Sequence, residues 1–497
     1  MRRKARHQLD RLEEANHRTL LAHLAASVMS ERGLEPEFSD AAMEQAATTR
    51  LPDEREASRV TDLRKLPWCS IDNDDSLDLD QLSTADELAN GATRIRIAIA
   101  DVAASVERRS PLDQHAHRNT TSVYTPARKF SMLPDRLSTD LTSLNEGEDR
   151  LAIIVDFVVS AKGAISKSEI YRGRVRNQAK LTYREVGRWL RDEGPPPNGC
   201  INDAVLQQLR LQDGVAEALR RRRDERGALE FETVEVEHLF EGDQLVGLKR
   251  QEVNRATSLI ANLMIAANGI TSRFLEEHSL PVIRRVVREP EHWDRICEIA
   301  AGHGTTLPVE PDPVALSRFL EERRIKDPAS FPDFSLTIIK LLGRGEYVAD
   351  EPGVEPTGHF GLAVRDYTHS TAPNRRYPDL ITQRMVKSAL AEARAPYELD
   401  ELRQLAAHCT EQEDAANKVE RHLRKSAAAL LVASQIGSVF HGYIAGVSEF
   451  GRWVRIVEPP IEGKVVRGAE NSAVGDQISV RLLRVDVARG FIDFEEA

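Results

Sequence analysis

The chain has 497 residues, of which 30% are charged and 41% hydrophobic, and its formal net charge is −11. This length predicts two to four domains, because a domain commonly contains about 100–200 residues. The composition excludes a collagen-like, wholly disordered or disulfide-stabilised protein. An acidic chain can still bind partners of either charge, because local charge decides binding.

Residues 1–58 are predicted to form a polar, helical N-terminal module, with leucines at roughly helical spacing and breaks at Pro36 and Pro52. The first residues are basic but are followed by no apolar stretch, so they do not resemble a signal peptide. The longest apolar run, Ala427–Ala433, is too short to span a bilayer. We therefore expect a protein without a membrane anchor.

The cysteines and histidines show no metal-binding spacing. The four cysteines lie far apart, at Cys69, Cys200, Cys297 and Cys409. This pattern is typical of a reduced, cytoplasmic protein without structural zinc. His115 and His117 form a close pair on a polar segment, which favours a solvated loop over a metal site.

Residues 59–433 are predicted to form a mixed α/β body. Alternating isoleucines predict a half-buried strand over 93–100, and the apolar run 151–159 predicts a buried strand. Long helices are predicted over 254–277 and 400–433. The arginines at 220–223 fit either a solvated helix face or a surface that follows phosphates.

After residue 433, short β-rich runs alternate with glycines. Five such runs within about 60 residues predict a small five-stranded β-barrel over 434–497. The fold class is therefore α+β, with a helical N-terminal module, a mixed α/β body and a C-terminal β-barrel.

The most distinctive local feature is an acidic segment, Ile71–Asp80. It places five carboxylates within nine positions, at Asp72, Asp74, Asp75, Asp78 and Asp80. Two carboxylates about 4 Å apart repel by roughly 1 kcal/mol in water and by about 4 kcal/mol at an effective dielectric constant of 20. A divalent cation would relieve this repulsion if several of them converged in a partly buried place.

Two other interpretations of the acidic segment stay open, and a third is excluded. It could be a solvated loop that closes on no ligand. An EF-hand calcium loop is excluded, because counting from Asp72 gives Leu77 at the glycine position and Ser83 at the glutamate position. Asp78 and Asp80 could also serve a phosphatase or a nucleotidyl enzyme, although the chain has no phosphate loop of the GxxxxGK type.

A second motif, Tyr367–Leu380, narrows the interpretation of the acidic segment. The chain resembles the ribonuclease II / ribonuclease R (RNB) family in five separated segments that occur in the family's order, Ile71–Asp80, Ala98–Val102, Ser131–Pro134, Leu141–Leu144 and Tyr367–Leu380. The glycine-rich C-terminal segment resembles the RNA-binding OB domain of these proteins. Together the similarities cover roughly residues 60–497.

The resemblance implies a processive 3′-to-5′ exoribonuclease that hydrolyses single-stranded RNA to nucleoside 5′-monophosphates with Mg²⁺, or Mn²⁺ in its place. It implies metal binding by Asp72, Asp78, Asp80 and Gln81. It implies catalytic roles for Asp78, Asp80, Arg375 and Tyr124. It also implies RNA contacts by Tyr124, Phe231, Arg375, Arg376, Glu420, Phe450 and Trp453. We expect a monomer that acts in the cytoplasm.

These residue types suit phosphodiester hydrolysis. The reaction needs an activated water, stabilisation of charge on the phosphate and a neutralised leaving oxygen. Carboxylate-held metal ions can supply the first and the last, and an arginine can supply the second. Bases that stack on aromatic rings would contribute about 1–3 kcal/mol each without sequence preference.

The chain departs from the family pattern at two places. Gln81 occupies the position of the family's last aspartate, so a cation would be held less tightly. This leaves a catalytically weakened homologue that binds RNA as the alternative, unless Asp74 or Asp75 supplies the missing charge. Residues 1–58 also replace the cold-shock-type domains of family members, with a helix-turn-helix-like module as one interpretation.

Overall fold

The computed structural model describes residues 16–51, 60–197, 202–232, 235–251, 254–328, 330–448 and 451–497. A seven-stranded mixed sheet forms the centre of the mixed α/β body, in the order β1-β8-β7-β4-β3-β2-β9. Its strands are β1 Thr61–Asp62, β2 Cys69–Asp72, β3 Gln81–Glu87, β4 Thr93–Ala100, β7 Asp149–Val159, β8 Ile165–Arg176 and β9 Ala179–Thr182. Only the pairs β1–β8 and β2–β9 are parallel within this sheet.

Three two-stranded ladders lie outside the central sheet. They are β5 Val123–Tyr124 with β6 Lys129–Phe130, β10 Glu235–Glu241 with β11 Gln244–Gln251, and β12 Val282–Val286 with β13 Glu346–Asp350. The first of these is a short hairpin, and the structure places it beside the acidic segment.

The α-helices of the described residues range from 8 to 33 residues in length. The helices are α1 His17–Glu31, α2 Asp40–Thr48, α3 Pro111–Asn119, α4 Tyr183–Leu190, α5 Asp203–Asp224, α6 Arg255–Glu277, α7 Trp293–Gly302, α8 Pro313–Lys326, α9 Phe331–Leu342, α10 Tyr377–Leu390 and α11 Leu399–Leu431. Helices α5 and α6 pack on the central sheet and on each other. The predicted strand 93–100 and the predicted long helices over 254–277 and 400–433 correspond to β4, α6 and α11.

The C-terminal strands close into a five-stranded barrel, as predicted. They are β14 Val439–Ser448, β15 Gly451–Ile456, β16 Ile461–Arg467, β17 Gln477–Asp486 and β18 Phe491–Glu496. Asp333 of α9 joins the barrel to the body, because it accepts a hydrogen bond from the Tyr443 hydroxyl and pairs with Arg455 at 2.7 Å.

The predicted solvated loop at His115 and His117 is wrong. Both residues lie in α3, which begins at the Ser110 cap, where the Ser110 hydroxyl accepts from the Asp113 N–H. His115 is buried, and its ring lies against Phe38. The polar sequence hid this helix because its buried face uses Leu112, Asp113 and His115 instead of a regular apolar stripe.

The N-terminal helix α1 packs on the long helix α11. Leu21, Ala25 and Met29 share one apolar cluster with Val419, Leu423 and Ala427, and Val123 and Phe130 of the β5–β6 hairpin complete it. The N-terminal residues therefore support the hairpin that carries Tyr124. Among the described residues, no helix has both the length and the apolar character needed to cross a bilayer.

Candidate active site

The acidic segment runs from the end of β2 to the start of β3. The Asp72 carboxylate accepts hydrogen bonds from the Asn73 N–H at 2.8 Å and from the Ser76 hydroxyl at 2.9 Å. These contacts turn the chain back on itself, so that Asp72 approaches Asp78. Burial raises the pKa of Asp72, and the nearby Asp78 carboxylate raises it further, while Arg375 opposes both.

Asp80 is the buried carboxylate of the segment, with 2% exposure. Its two oxygens accept from the Asn374 N–H at 3.0 Å and from the Arg375 Nε at 3.3 Å. Burial raises the pKa of Asp80 to about 7, although Arg375 and the Asn374 N–H favour its charged form. The structure thus brings Asp80 and Arg375 together from positions 295 residues apart.

The Arg375 segment is fixed by backbone contacts with the chain before β5. The Ser122 N–H donates to the Arg375 carbonyl, and the Tyr377 N–H donates to the Thr120 carbonyl. Arg375 stays charged, because Tyr124, Asp80 and Asp72 together raise its pKa against the effect of burial. Arg376 takes a different partner, Asp379, at 2.7 Å, and its proposed contact with RNA stays a prediction.

Tyr124 lies at the mouth of this group, on the β5–β6 hairpin. It is 44% exposed, and its phenol hydroxyl lies beside Arg375. Its backbone N–H donates to a Glu420 carboxylate oxygen at 2.9 Å, so Glu420 of α11 holds the tyrosine in place. Burial of the hydroxyl near Asp78 and Asp80 raises the pKa of Tyr124, which keeps the phenol protonated.

Two residues of the site escaped the sequence analysis. The Lys129 ammonium forms an ion pair with the Asp78 carboxylate at 2.9 Å, and Tyr183 lies near Asp72 and Arg375. Lys129 reaches the aspartate because the hairpin pairs it with Tyr124. Tyr183 reaches it because β9 runs parallel to β2, which places Thr182 opposite Asp72. Neither approach leaves a local sequence signal.

The donor chemistry of the site suits a hard divalent cation, because its carboxylates and the amide of Gln81 offer oxygen ligands. The described residues nevertheless contain no group of three or more His, Cys, Asp or Glu side chains gathered as a metal site requires. Asp78 is engaged by Lys129, and Gln81 opens strand β3 as a half-buried residue. The four-residue metal set stays a prediction.

The other acidic residues of the segment lie on the surface. Asp74 is exposed and pairs with Arg184 at 3.0 Å on the surface. Asp75 is exposed as well.

A cleft of about 890 Å³, here called the arginine cleft, lies against α6. It is lined by Arg222, Arg223, Arg226, Arg273 and Arg365, together with Phe360. Arg223 donates to the Asn262 side chain and is otherwise enclosed by the cleft, where burial lowers its pKa. Two of these arginines belong to the run at 220–223, so part of that run lines a cavity.

The predicted RNA-contacting aromatics are distributed over three places. Phe231 packs against the same apolar cluster as Phe360 of the arginine cleft. Trp453 lies half-buried on β15 of the barrel, paired with Lys464. Phe450 falls outside the described residues. The structure therefore gathers Tyr124 with the aspartates but places Phe231 and Trp453 elsewhere.

Comparison with known protein families assigns the mixed α/β body and the C-terminal barrel. The RNB domain matches residues 60–392, and the RNase II-type exonuclease C-terminal S1 domain matches residues 438–497. The chain belongs to the RNB family. This confirms the resemblance found in the sequence, including the α+β fold class with its terminal RNA-binding-type barrel.

The curated relatives carry the name Ribonuclease R. The protein of Escherichia coli strain K12 is 32% identical over 451 residues, which cover 87% of this chain and 54% of the relative. The protein of Aquifex aeolicus strain VF5 is 29% identical, and the match covers 91% of this chain and 66% of the relative. The chain thus spans about half to two thirds of these relatives' lengths.

Solved structures of the RNB family share the fold. Mycoplasma genitalium RNase R in complex with ribose-methylated single-stranded RNA superposes with a TM-score of 0.85 at 23% identity, over 95% of this chain and 77% of that chain. Yeast Ssd1, described as a pseudonuclease, superposes with a TM-score of 0.68 at 16% identity, over 92% of this chain and 57% of that chain. The fold alone therefore does not establish catalysis.

Proposed function

We propose that this chain is a metal-dependent exoribonuclease that hydrolyses single-stranded RNA processively from its 3′ end and releases nucleoside 5′-monophosphates. The observation that carries the proposal is the contact between buried Asp80 and Arg375, with Asp72, Asp78 and Tyr124 around it. A buried carboxylate beside a guanidinium, an aromatic ring and further carboxylates provides the parts that phosphodiester hydrolysis needs.

The cofactor in this proposal is Mg²⁺ or Mn²⁺, held by Asp72 and Asp80 with Asp78 and Gln81 beside them. When bound, the cation would lower the pKa of a water molecule and neutralise negative charge on the phosphate. The chain's own residues supply the contacts to the phosphate and to the terminal nucleotide.

Arg375 is placed to bind the scissile phosphate. Its Nε is engaged by Asp80, and its side chain is 42% exposed, so part of the guanidinium is accessible to a phosphate oxygen. Asp80, buried beside Arg375, is placed to hold the cation and to fix the guanidinium that meets the phosphate.

Tyr124 is placed to orient the terminal nucleotide. Its exposed ring offers a stacking face. The hydrogen bond from the Tyr124 backbone N–H to Glu420 holds this ring in position near the aspartates. The arginine cleft, with Phe231 and Phe360 on the neighbouring apolar cluster, is a suitable path for the upstream strand. Stacking and phosphate contacts are sequence-tolerant, as a processive enzyme requires.

The test compares 5′-labelled poly(A) incubated with the wild-type chain, Asp80→Asn and Asp74→Asn in Mg²⁺ or Mn²⁺. We expect the wild type to shorten the strand stepwise and release AMP. Asp80→Asn should slow the reaction by about 10²–10³-fold, because it removes a charged oxygen ligand of the cation and the ion-pair partner of Arg375. Asp74→Asn is the matched control from the same segment, and its activity should stay near the wild-type level because Asp74 pairs with Arg184 on the surface.

A catalytically weakened RNA-binding protein is the second candidate, and the neutral Gln81 favours it. Binding of poly(A) without any metal-dependent shortening in the wild type would establish this second function and reject the first. Release of inorganic phosphate from small esters, without release of AMP from RNA, would instead indicate a phosphatase.

A further inference from the structure

A lysine side chain, Lys129, forms an ion pair with the acidic segment. The Lys129 ammonium lies 2.9 Å from an Asp78 carboxylate oxygen, and the two side chains are 30% and 11% exposed. The same ammonium lies 6.0 Å from the centre of the Tyr124 ring. Lys129 is fixed opposite Tyr124 by the pairing of β5 with β6. It is therefore a positioned residue of the site and not a passing surface contact.

The formal charges around this lysine nearly balance. Asp72, Asp78 and Asp80 contribute −3, whereas Arg375 and Lys129 contribute +2, which leaves −1. Gln81 adds no charge. One divalent cation brings +2, and two would bring +4, so a second divalent cation would leave a large uncompensated positive charge. A single cation is the smaller imbalance.

The arrangement of the carboxylates agrees with this balance. Two-metal sites need carboxylates that bridge or flank two ions about 3.5–4 Å apart. Here Asp78 turns an oxygen to Lys129 at 2.9 Å, so this carboxylate is not free to bridge two ions. The Lys129 ammonium thus pairs with the carboxylate that a second ion would use.

We propose that Lys129 is a positioning residue that neutralises Asp78 in place of a second divalent cation, so that the site takes one divalent cation. This inference rests on the proposed metal-dependent function. Lys129 holds Asp78 and, through the hairpin, keeps Tyr124 over the aspartates. It also lowers the affinity of the site for the remaining cation, because like charges repel.

The experiment measures Mn²⁺ binding to the full chain by isothermal titration calorimetry, without RNA. We expect one Mn²⁺ ion per wild-type chain. Lys129→Met should bind a second ion or bind the first about tenfold more tightly, because a positive charge beside a ligand oxygen is removed. Lys129→Arg keeps the charge and should resemble the wild type. Lys167→Met removes an exposed lysine of β8 and should leave Mn²⁺ binding unchanged.

A double substitution shows whether Asp78 transmits the effect. Adding Lys129→Met to Asp78→Asn should give no gain in Mn²⁺ affinity or stoichiometry, since the carboxylate released by the lysine is gone. A gain of the same size in both backgrounds would overturn the inference. So would two Mn²⁺ ions per wild-type chain, or equal binding by the wild type and Lys129→Met, including no binding by either.

Activity measurements separate this inference from the proposed function. If Mn²⁺ binding responds to Lys129 as expected but poly(A) stays intact, the inference about the cation site stands and the exoribonuclease proposal fails. If poly(A) is shortened but Mn²⁺ binding ignores Lys129, the enzyme is confirmed and the inference fails. Near-ultraviolet circular dichroism of each variant verifies that the fold is retained.

Discussion

Gln81 is a neutral residue next to Asp80, at a site that we propose binds a cation. It opens strand β3 and is half-buried, so a carboxylate in its place would lie close to the aspartates. We expect Gln81→Asp to lower the Mg²⁺ concentration for half-maximal activity by about tenfold, which corresponds to about 1.4 kcal/mol. A titration of activity on poly(A) against Mg²⁺ measures this shift.

The matched control adds the same charge elsewhere. Gln477→Asp also replaces a glutamine at the start of a strand, in the barrel, where the residue is exposed. Its Mg²⁺ requirement should equal that of the wild type. An unchanged requirement in Gln81→Asp would show that the side chain at position 81 does not reach the cation.

Single residues also show where sequence interpretation succeeds and fails. Asp72, Asp80 and Arg375 were identified because each lies in a motif with distinctive neighbours, and the structure brings them into electrostatic contact. Lys129 and Tyr183 carry no such motif. Their positions depend on the pairing of β5 with β6 and of β2 with β9, which are decided by tertiary packing.

Among the elements, the barrel makes a strict demand on Gly463 of β16. A Cβ atom there would lie 2.5 Å from the fully buried ring of Phe494 and 2.7 Å from the Ile492 carbonyl oxygen. We expect Gly463→Ala to lower the free energy of unfolding by about 1–3 kcal/mol, because an overfilled core must distort. Urea unfolding followed by circular dichroism measures the change.

Gly214 of α5 is the matched control for the same substitution. A Cβ atom at this position meets no heavy atom within 4 Å. Gly214→Ala should raise the free energy of unfolding by about 0.5–1 kcal/mol, because alanine loses less backbone entropy in a helix. If both variants were destabilised equally, the close packing under β16 would not be the cause.

Elements with strong periodicity were predicted well, and short ones were not. Strand β4 alternates isoleucine with other residues, and α11 carries a continuous apolar stripe, so both were visible in the sequence. The β5–β6 hairpin has two residues in each strand, too few for any periodicity. It forms because Val123 and Phe130 insert between α1 and α11, a contact between segments about 300 residues apart.

At the scale of the whole molecule, helix α1 supports the site through α11. Leu21 and Met29 of α1 pack against α11, and Glu420 of α11 accepts a hydrogen bond from the backbone N–H of Tyr124. The composition of residues 1–58 predicted a helical module but could not show where it packs. That location depends on matching the α1 and α11 faces in three dimensions. The domain boundaries at 58 and 433 stay predictions.

The buried histidines of the folded chain make its stability sensitive to acid. Burial lowers the pKa of His115 and His369, and it lowers the pKa of His238 and His359 to about 4. In the unfolded chain these side chains take up protons near pH 6.5. Their contribution to stability is therefore complete above about pH 6.5 and is lost as the pH falls towards 4.

His359 isolates one part of this effect. Its Nδ1 atom accepts a hydrogen bond from the Leu362 N–H at 3.2 Å, which a protonated ring nitrogen cannot do. Asparagine offers an acceptor but does not titrate. Between pH 7 and pH 5, the wild type should lose roughly 1–2 kcal/mol more unfolding free energy than His359→Asn. Urea unfolding followed by tryptophan fluorescence at both pH values measures the difference.

The matched control makes the same substitution at an exposed position. His23 of α1 is exposed, so His23→Asn should lose as much unfolding free energy between pH 7 and pH 5 as the wild type. If His359→Asn were as acid-sensitive as the wild type, proton uptake at His359 would not drive the loss. His359 bridges Val287, next to β12, and Val364, so its protonation would weaken the contact between these two segments.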